Sequence, residues 1–145
     1  MKKFKATTQW TESVGVYEIT LHTDMGPCYG CAIAHDDDED HKSEYFGGRI
    51  AEMRALVKYF KKRAQHERTE QEALQKFYNA MKDTRTFKPW DFWAKKLEKE
   101  IARKGKLVEE WNGKAEAMKK AITESIAARD AMFAAVKDAR LKPEK

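Results

Sequence analysis

Two cysteines three residues apart, Cys28 and Cys31 in the segment CYGC, form the first spacing in this chain that could support chemistry. A CxxC pair serves zinc binding or dithiol exchange when a tight turn or a helix start brings both sulfurs to one side. Here the surrounding residues are those of a strand, in which positions three apart face opposite sides of a sheet. A zinc site also needs four ligands, and with no second CxxC the set would have to be completed by His22, His35 and His41. Two small buried thiols are the better reading, no metal is expected, and two cysteines are too few for a disulfide framework.

The run from His35 to His41, HDDDEDH, suggests a divalent cation. It lacks the central glycine and the spaced terminal glutamate of an EF-hand loop. It reads instead as a solvated loop whose carboxylates lie near the positive end of the following helix, each worth about 0.3 to 1 kcal/mol at best. No nucleophile, base and orienting group come together, and there is no P-loop, dinucleotide-type glycine pattern, nucleophile elbow or zinc-protease helix. No catalytic residue, no cofactor and no enzymatic activity are expected.

A third cluster, Phe87, Trp90, Phe92 and Trp93, is flanked by Arg85, Lys88, Lys95 and Lys96. Aromatics beside basic residues can stack a base or grip a partner, and four within seven residues cannot all enter one core. The plainer reading is a helix amino terminus packed on its neighbours or on a dimer mate. Phe87, Trp90 and Trp93 are the expected partner-binding residues.

The elements that position these groups follow from periodicity. Phe4, Ala6, Thr8 and Trp10 alternate with polar residues, the period of a half-buried strand. Val14 to His22 is rich in β-branched and aromatic residues, with Tyr17, Ile19 and Leu21 on one face. Thr23 to Pro27 reads as a turn. Cys28 to Ala34 reads as a third strand, with Tyr29, Cys31 and Ile33 on one face and small residues on the other, a face that can receive a closely packed helix. From Gly48 the pattern turns helical, with Ile50, Met53, Val57 and Phe60 at three and four spacing. It fades across KKRAQHERTEQE, read as a solvated rod, and resumes at Leu74 in the same register.

A second heptad-like seam runs from Trp90 to Ala139 and includes Met132 and Val136. Lys104, Ser125 and Arg129 sit within it, and Asn112-Gly113 is a favoured helix C-terminal pair. The unbroken seam argues for one rod of about 52 residues, about 78 Å long. Gly105 and Gly113 argue against it at about 1 kcal/mol each, and a break or kink at Gly113 is expected. The fold class is therefore α+β, mostly α: a small N-terminal three-stranded antiparallel sheet followed by long amphipathic helices. One domain is expected over 1–145, with a meander and acidic loop over 1–47, a long helix over 48–83, and a helical hairpin or long rod over 89–141.

The net charge of +5 is unevenly shared. Residues 1–48 hold four lysines against nine acids, about −5, and the remainder holds 25 basic residues against 15 acids, about +10. A mean hydropathy of −0.84 and 37% charged residues suit elongated helices better than a sphere. No stretch approaches the roughly 18 apolar residues of a membrane span, and the amino terminus has no apolar run to make a signal peptide. A soluble cytoplasmic protein without a membrane partner is expected. A seam this long, with polar residues in it, implies a homo-oligomer, a dimer first.

The junction between sheet and helix resembles a pattern of small phage-encoded proteins: a strand rich in small residues (Ala32, Ala34), acids (Asp38, Asp40), an aromatic and a glycine (Phe46, Gly47), and then Ile50, Ala51, Arg54 and Ala55. Among these it looks most like the anti-Thoeris sponges, which sequester a cyclic ADP-ribose isomer of bacterial immunity without catalysis. The likeness covers about 25 residues, and the loop departs from it by a run of five acids. It implies a nucleotide signal as partner, an oligomer, and the host cytoplasm as location. Backbone N–H groups around Gly47 and Gly48 with Arg49 and Arg54 would meet phosphate, and Trp10, Tyr45 or Phe46 would stack on a base. The competing expectations are a protein-binding inhibitor of a host defence complex, anti-CRISPR-like in action, and, less favoured, a basic nucleic-acid-binding accessory protein.

Overall fold

The computed structural model describes residues 4–33, 44–84 and 90–141. Three strands, β1 (Lys5–Thr11), β2 (Val16–Thr23) and β3 (Gly26–Ile33), precede two helices, α1 (Glu44–Thr84) and α2 (Trp90–Leu141). The protein is α+β and mostly helical by residue count. The acidic run His35 to His41 and Phe87 lie outside the described residues, as do Arg85, Lys88 and Ala34.

The sheet is an antiparallel meander in the order β1-β2-β3. Gly15, at φ 63°, closes the first connection, and its N–H donates to the Glu12 carbonyl at 3.2 Å. Val14 belongs to this turn and is exposed, so β2 starts at Val16 rather than at Val14. The second connection is a two-residue hairpin between Thr23 and Gly26, which pair directly. Gly26 adopts φ 89°, and the Thr23 hydroxyl donates to the Gly26 carbonyl at 2.5 Å while accepting from the Met25 N–H at 3.1 Å. Gly26 and Pro27, read from sequence as turn residues, are thus the first residues of β3. A proline is tolerated there because β3 is an edge strand.

Register puts Ala6, Leu21 and Cys28 in one row, Thr8, Ile19 and Gly30 in the next, and Trp10, Tyr17 and Ala32 in a third. This inner face receives α1, whose Ile50, Ala51, Met53, Ala55, Val57 and Tyr59 are buried. Gly30 sets the distance: a methyl group there would lie 2.0 Å from the Ala51 carbonyl oxygen and 2.7 Å from the Ala55 nitrogen. The helix rests on β3 at a separation that only glycine permits.

The chain forms two compact units, one of Met1–Tyr59 with Ala115–Lys145 and one of Phe60–Lys114. In the first, the Phe4 ring meets Tyr59 edge-on at 4.8 Å, and Phe46 approaches Phe133 of α2 at 6.3 Å. The half-buried residues of α2 here are Met118, Ala121, Ile122, Ser125, Ile126, Arg129 and Phe133, whereas Met132 and Val136, assigned to the seam by sequence, are exposed. A straight helix drifts by about 20° per heptad, so a strict seven-residue pattern that starts at Trp90 leaves the buried face only after several heptads, toward the end of α2.

In the second unit the two helices pack antiparallel. Trp111 stacks on Phe60 at 5.9 Å and lies 5.1 Å from the Arg63 guanidinium, and Ala64, Ala94 and Val108 are buried. The segment KKRAQHERTEQE is no solvated rod: its Glu67 is only 5% exposed and accepts from Lys104 Nζ at 2.8 Å, and Glu70 accepts from the same ammonium. Gln71 Nε2 donates to the Ile101 carbonyl at 3.3 Å, and the Tyr78 hydroxyl to Glu98 at 2.7 Å. Lys104, read as a reason for self-association, is therefore satisfied within the chain. α2 runs through Asn112 and Gly113 without a break, and at Gly105 a methyl group would sit 2.9 Å from Gln71 Nε2.

Candidate functional site

The inner face of β1 carries Ala6 and Thr8 between the larger Phe4 and Trp10. Both small residues are exposed, although they point to the helical side of the sheet. The reason is lateral: α1 is drawn onto β3 by the small row Cys28, Gly30 and Ala32, so the opposite edge of the sheet stays open. The result is a groove of about 950 Å³. Its floor is Phe4, Ala6, Thr8, Tyr17, Ile19 and Leu21, and its wall is the flank of α1 with Tyr45, Gly48, Arg49 and Leu56. Glu44 and Glu52 complete the wall.

Of the six residues expected from sequence to bind a ligand, the structure brings Tyr45 and Arg49 to this groove. They are one helical turn apart, with Arg49 Nη1 donating to the Tyr45 hydroxyl at 3.4 Å. Trp10 is half-buried 6.3 Å from the Tyr17 ring. Gly47 packs between these two, since a methyl there would be 3.3 Å from Tyr17 Cβ and 3.7 Å from the Trp10 ring. Phe46 turns away to Tyr45 and Phe133. Arg54 lies at the other edge, where its Nη1 donates to the Cys31 carbonyl at 2.8 Å. It ties α1 to β3 and does not line the groove.

The glycine pair has a different role from the one expected. α1 begins at Glu44, so the N–H of Gly48 already donates within the helix and is not an open anion site. Two internal glycines cost about 1 kcal/mol each in helix propensity. At Gly48 a methyl group would press to 3.1 Å against the Tyr17 ring, so the missing side chain is what lets the first turns settle on β2. The residues that sequence reasoning missed, above all Phe4, Tyr17, Glu44 and Glu52, had one signal: the small pair Ala6 and Thr8 on an otherwise large-residue face, which marks a hollow.

The groove combines three rings, one guanidinium and two carboxylates. It can stack a planar group, pair one anionic oxygen and accept hydrogen bonds from hydroxyl or amino groups. Elsewhere, Cys28 is fully buried under α1 and Cys31 is on the opposite, half-exposed face, so the two thiols cannot share one metal ion. His66, Glu67 and Glu70 bring their donor atoms within 4.8 Å of one another. The cation in that cluster is Lys104, whose ammonium carries hydrogen bonds to both carboxylates. Those bonds hold the lysine pKa above its ordinary value, and the Lys104 bond holds the Glu70 carboxyl below the usual range. The exposed Phe92 and Trp93 at the start of α2 share Lys96, at 4.5 and 5.5 Å from their ring centres. Among the described residues no helix is long and apolar enough to cross a membrane. The chain matches no family model, no curated protein and no solved structure.

Proposed function

We propose that this chain is a non-catalytic binding protein that sequesters a nucleotide-type signal in the groove between β1, β2 and the start of α1. The groove itself carries the reading: about 950 Å³, with Phe4, Tyr17 and Tyr45 around it and Arg49 on its wall. That is the size of a small-molecule cleft. The rings supply stacking surface for a base, Arg49 supplies a charge-assisted donor for one phosphate, and Glu44 and Glu52 accept from ribose hydroxyls or an exocyclic amine. Two carboxylates against one guanidinium disfavour a polyphosphate and suit a ligand of low charge. The resemblance of the adjoining segment to anti-Thoeris sponges supplies the ligand class, a cyclic ADP-ribose isomer, and with it a counter-defence role.

Calorimetry with cyclic ADP-ribose isomers and with AMP tests this. Binding is expected without turnover of the ligand, and Arg49→Ala is expected to weaken it by about 10- to 100-fold, the worth of a hydrogen bond to a charged group. Absence of heat at high micromolar ligand, or equal affinity of the Arg49→Ala variant, would remove the proposal.

A further inference from the structure

In the second unit α2 presents two different stripes. Ala94, Leu97, Ile101, Lys104, Val108 and Trp111 recur at three and four spacing and are buried or half-buried against α1. Phe92, Lys96, Lys99, Arg103 and Lys106 recur at the same spacing, displaced by two residues, and all are exposed. Lys95 borders this outer stripe and is exposed as well. At about 1.5 Å per residue the outer stripe is about 21 Å long. Between Phe92 and Lys106 the centre line of the stripe carries no acid, and Glu110 ends it one turn beyond Lys106. Glu100, at its border, forms an ion pair with Arg103. Lys95, Lys99 and Lys106 have no carboxylate partner among the described residues. The stripe begins at two rings open to solvent, Phe92 at 59% and Trp93 at 49% exposure.

We propose that this outer face of α2 binds single-stranded nucleic acid, with phosphates along the lysines and a base stacked at Phe92 and Trp93. The charge requires an anionic partner of extended shape. The rings choose among such partners. A duplex keeps its base faces stacked inside and has none to offer an exposed indole. An anionic bilayer would take apolar side chains spread along the helix, but here the large apolar residues stand at one end, and the following three turns carry basic residues along the stripe with Glu100 and Ala102 at its two borders. A single strand offers both a phosphate track and free base faces. The site is separate from the groove of the first unit and does not depend on a ligand there.

The test is fluorescence anisotropy of the full chain with a 15-nucleotide oligo-dT across a potassium chloride series. Four lysines along the face, Lys95, Lys96, Lys99 and Lys106, predict a slope of log K against log salt of about −3. Lys95→Glu with Lys99→Glu and Lys106→Glu should weaken binding at least about tenfold, whereas the same three changed to arginine should retain it. Phe92→Ala with Trp93→Ala should lower affinity about 5- to 100-fold while leaving the slope unchanged, as the loss of one stacked base would. Circular dichroism of each variant checks that the helices persist. The proposal is overturned by no binding at 50 mM salt, by equal binding of a 15-base-pair duplex or of polyglutamate, by binding of phosphatidylglycerol vesicles in place of the oligonucleotide, or by indifference to the lysine reversals.

Discussion

Replacing Lys104 with alanine removes the ammonium that Glu67 and Glu70 share across the second unit. The Glu67 side chain is 6% exposed, so its carboxylate cannot regain water when the lysine is lost. Breaking a buried pair from one side costs about 3 to 5 kcal/mol, because the remaining charge stays desolvated. Two features reduce this here: Arg63 Nη2 still lies 3.6 Å from Glu67, and Glu70, at 43% exposure, can turn to solvent. About 2 to 3 kcal/mol is therefore expected. With a urea m-value of about 2 kcal/mol/M, this lowers the unfolding midpoint by about 1 to 1.5 M. The informative companion is Lys104→Met with Glu67→Leu, which replaces both charges by apolar groups of similar volume and should fall within about 1 kcal/mol of the parent. The pH dependence has a definite sign. Glu70 is held below its ordinary pKa by Lys104, so its contribution is present above the unfolded value of 4.5 and is lost as pH falls through the folded value. Lys104 is held above 10.5, so its contribution is present below that value and is lost as pH rises through the folded one. The Lys104→Ala variant should lose the difference at both ends. A single variant within about 0.5 kcal/mol of the parent, or a double variant as unstable as the single one, would refute the claim that the buried Glu67 carboxylate depends on Lys104.

Two glycine replacements should act in opposite directions. Gly30→Ala forces a methyl group onto the backbone of α1, 2.0 Å from the Ala51 carbonyl oxygen, and should cost more than about 3 kcal/mol or prevent the first unit from forming, read by thermal denaturation. Gly113→Ala meets nothing within 4 Å on an exposed helical position and should stabilise by about 0.5 to 1 kcal/mol in the same assay. Tyr29 donates to Glu18 at 3.1 Å, and that hydrogen bond is the main reason its phenol is pushed up to about 12. Absorbance titration of Glu18→Gln should return it toward 10. Because the folded value is the raised one, stability should fall in the parent as pH climbs from 10 toward 12.

Much of the fold was legible because it rests on short-range pattern. Alternation at Phe4, Ala6, Thr8 and Trp10 announced β1, and the small row Cys28, Gly30 and Ala32 announced the face that a helix could approach. Boundaries were less legible where one residue has two uses. Gly26 and Pro27 are common turn residues, yet an edge strand accepts both, and Gly47 and Gly48 look like a helix start but lie inside one, because Tyr17 occupies the space their side chains would fill. Gly113 breaks nothing, since one exposed glycine costs less than a 52-residue helix gains by continuing. The polar stretch 61–72 hid a buried ion pair whose second half, Lys104, lies more than thirty residues away and contributes no local period.

At the groove the same division holds. The side chains that could bind, Tyr45 and Arg49 among them, could be named from their chemistry and their closeness to a helix start. Whether each one points inward depended on where α1 came to rest across the sheet. That position is set by the contact of Gly30 with Ala51 and Ala55, a long-range packing event. By itself the sequence determined which faces are apolar, which are charged and that strands precede helices, because those properties repeat at the period of each element. Only the tertiary structure decided that α1 covers β3 and leaves β1 open, that Arg54 became a tie to Cys31, and that Lys104 found its carboxylates within the chain. These outcomes depend on distances between residues far apart in sequence, which no periodicity records.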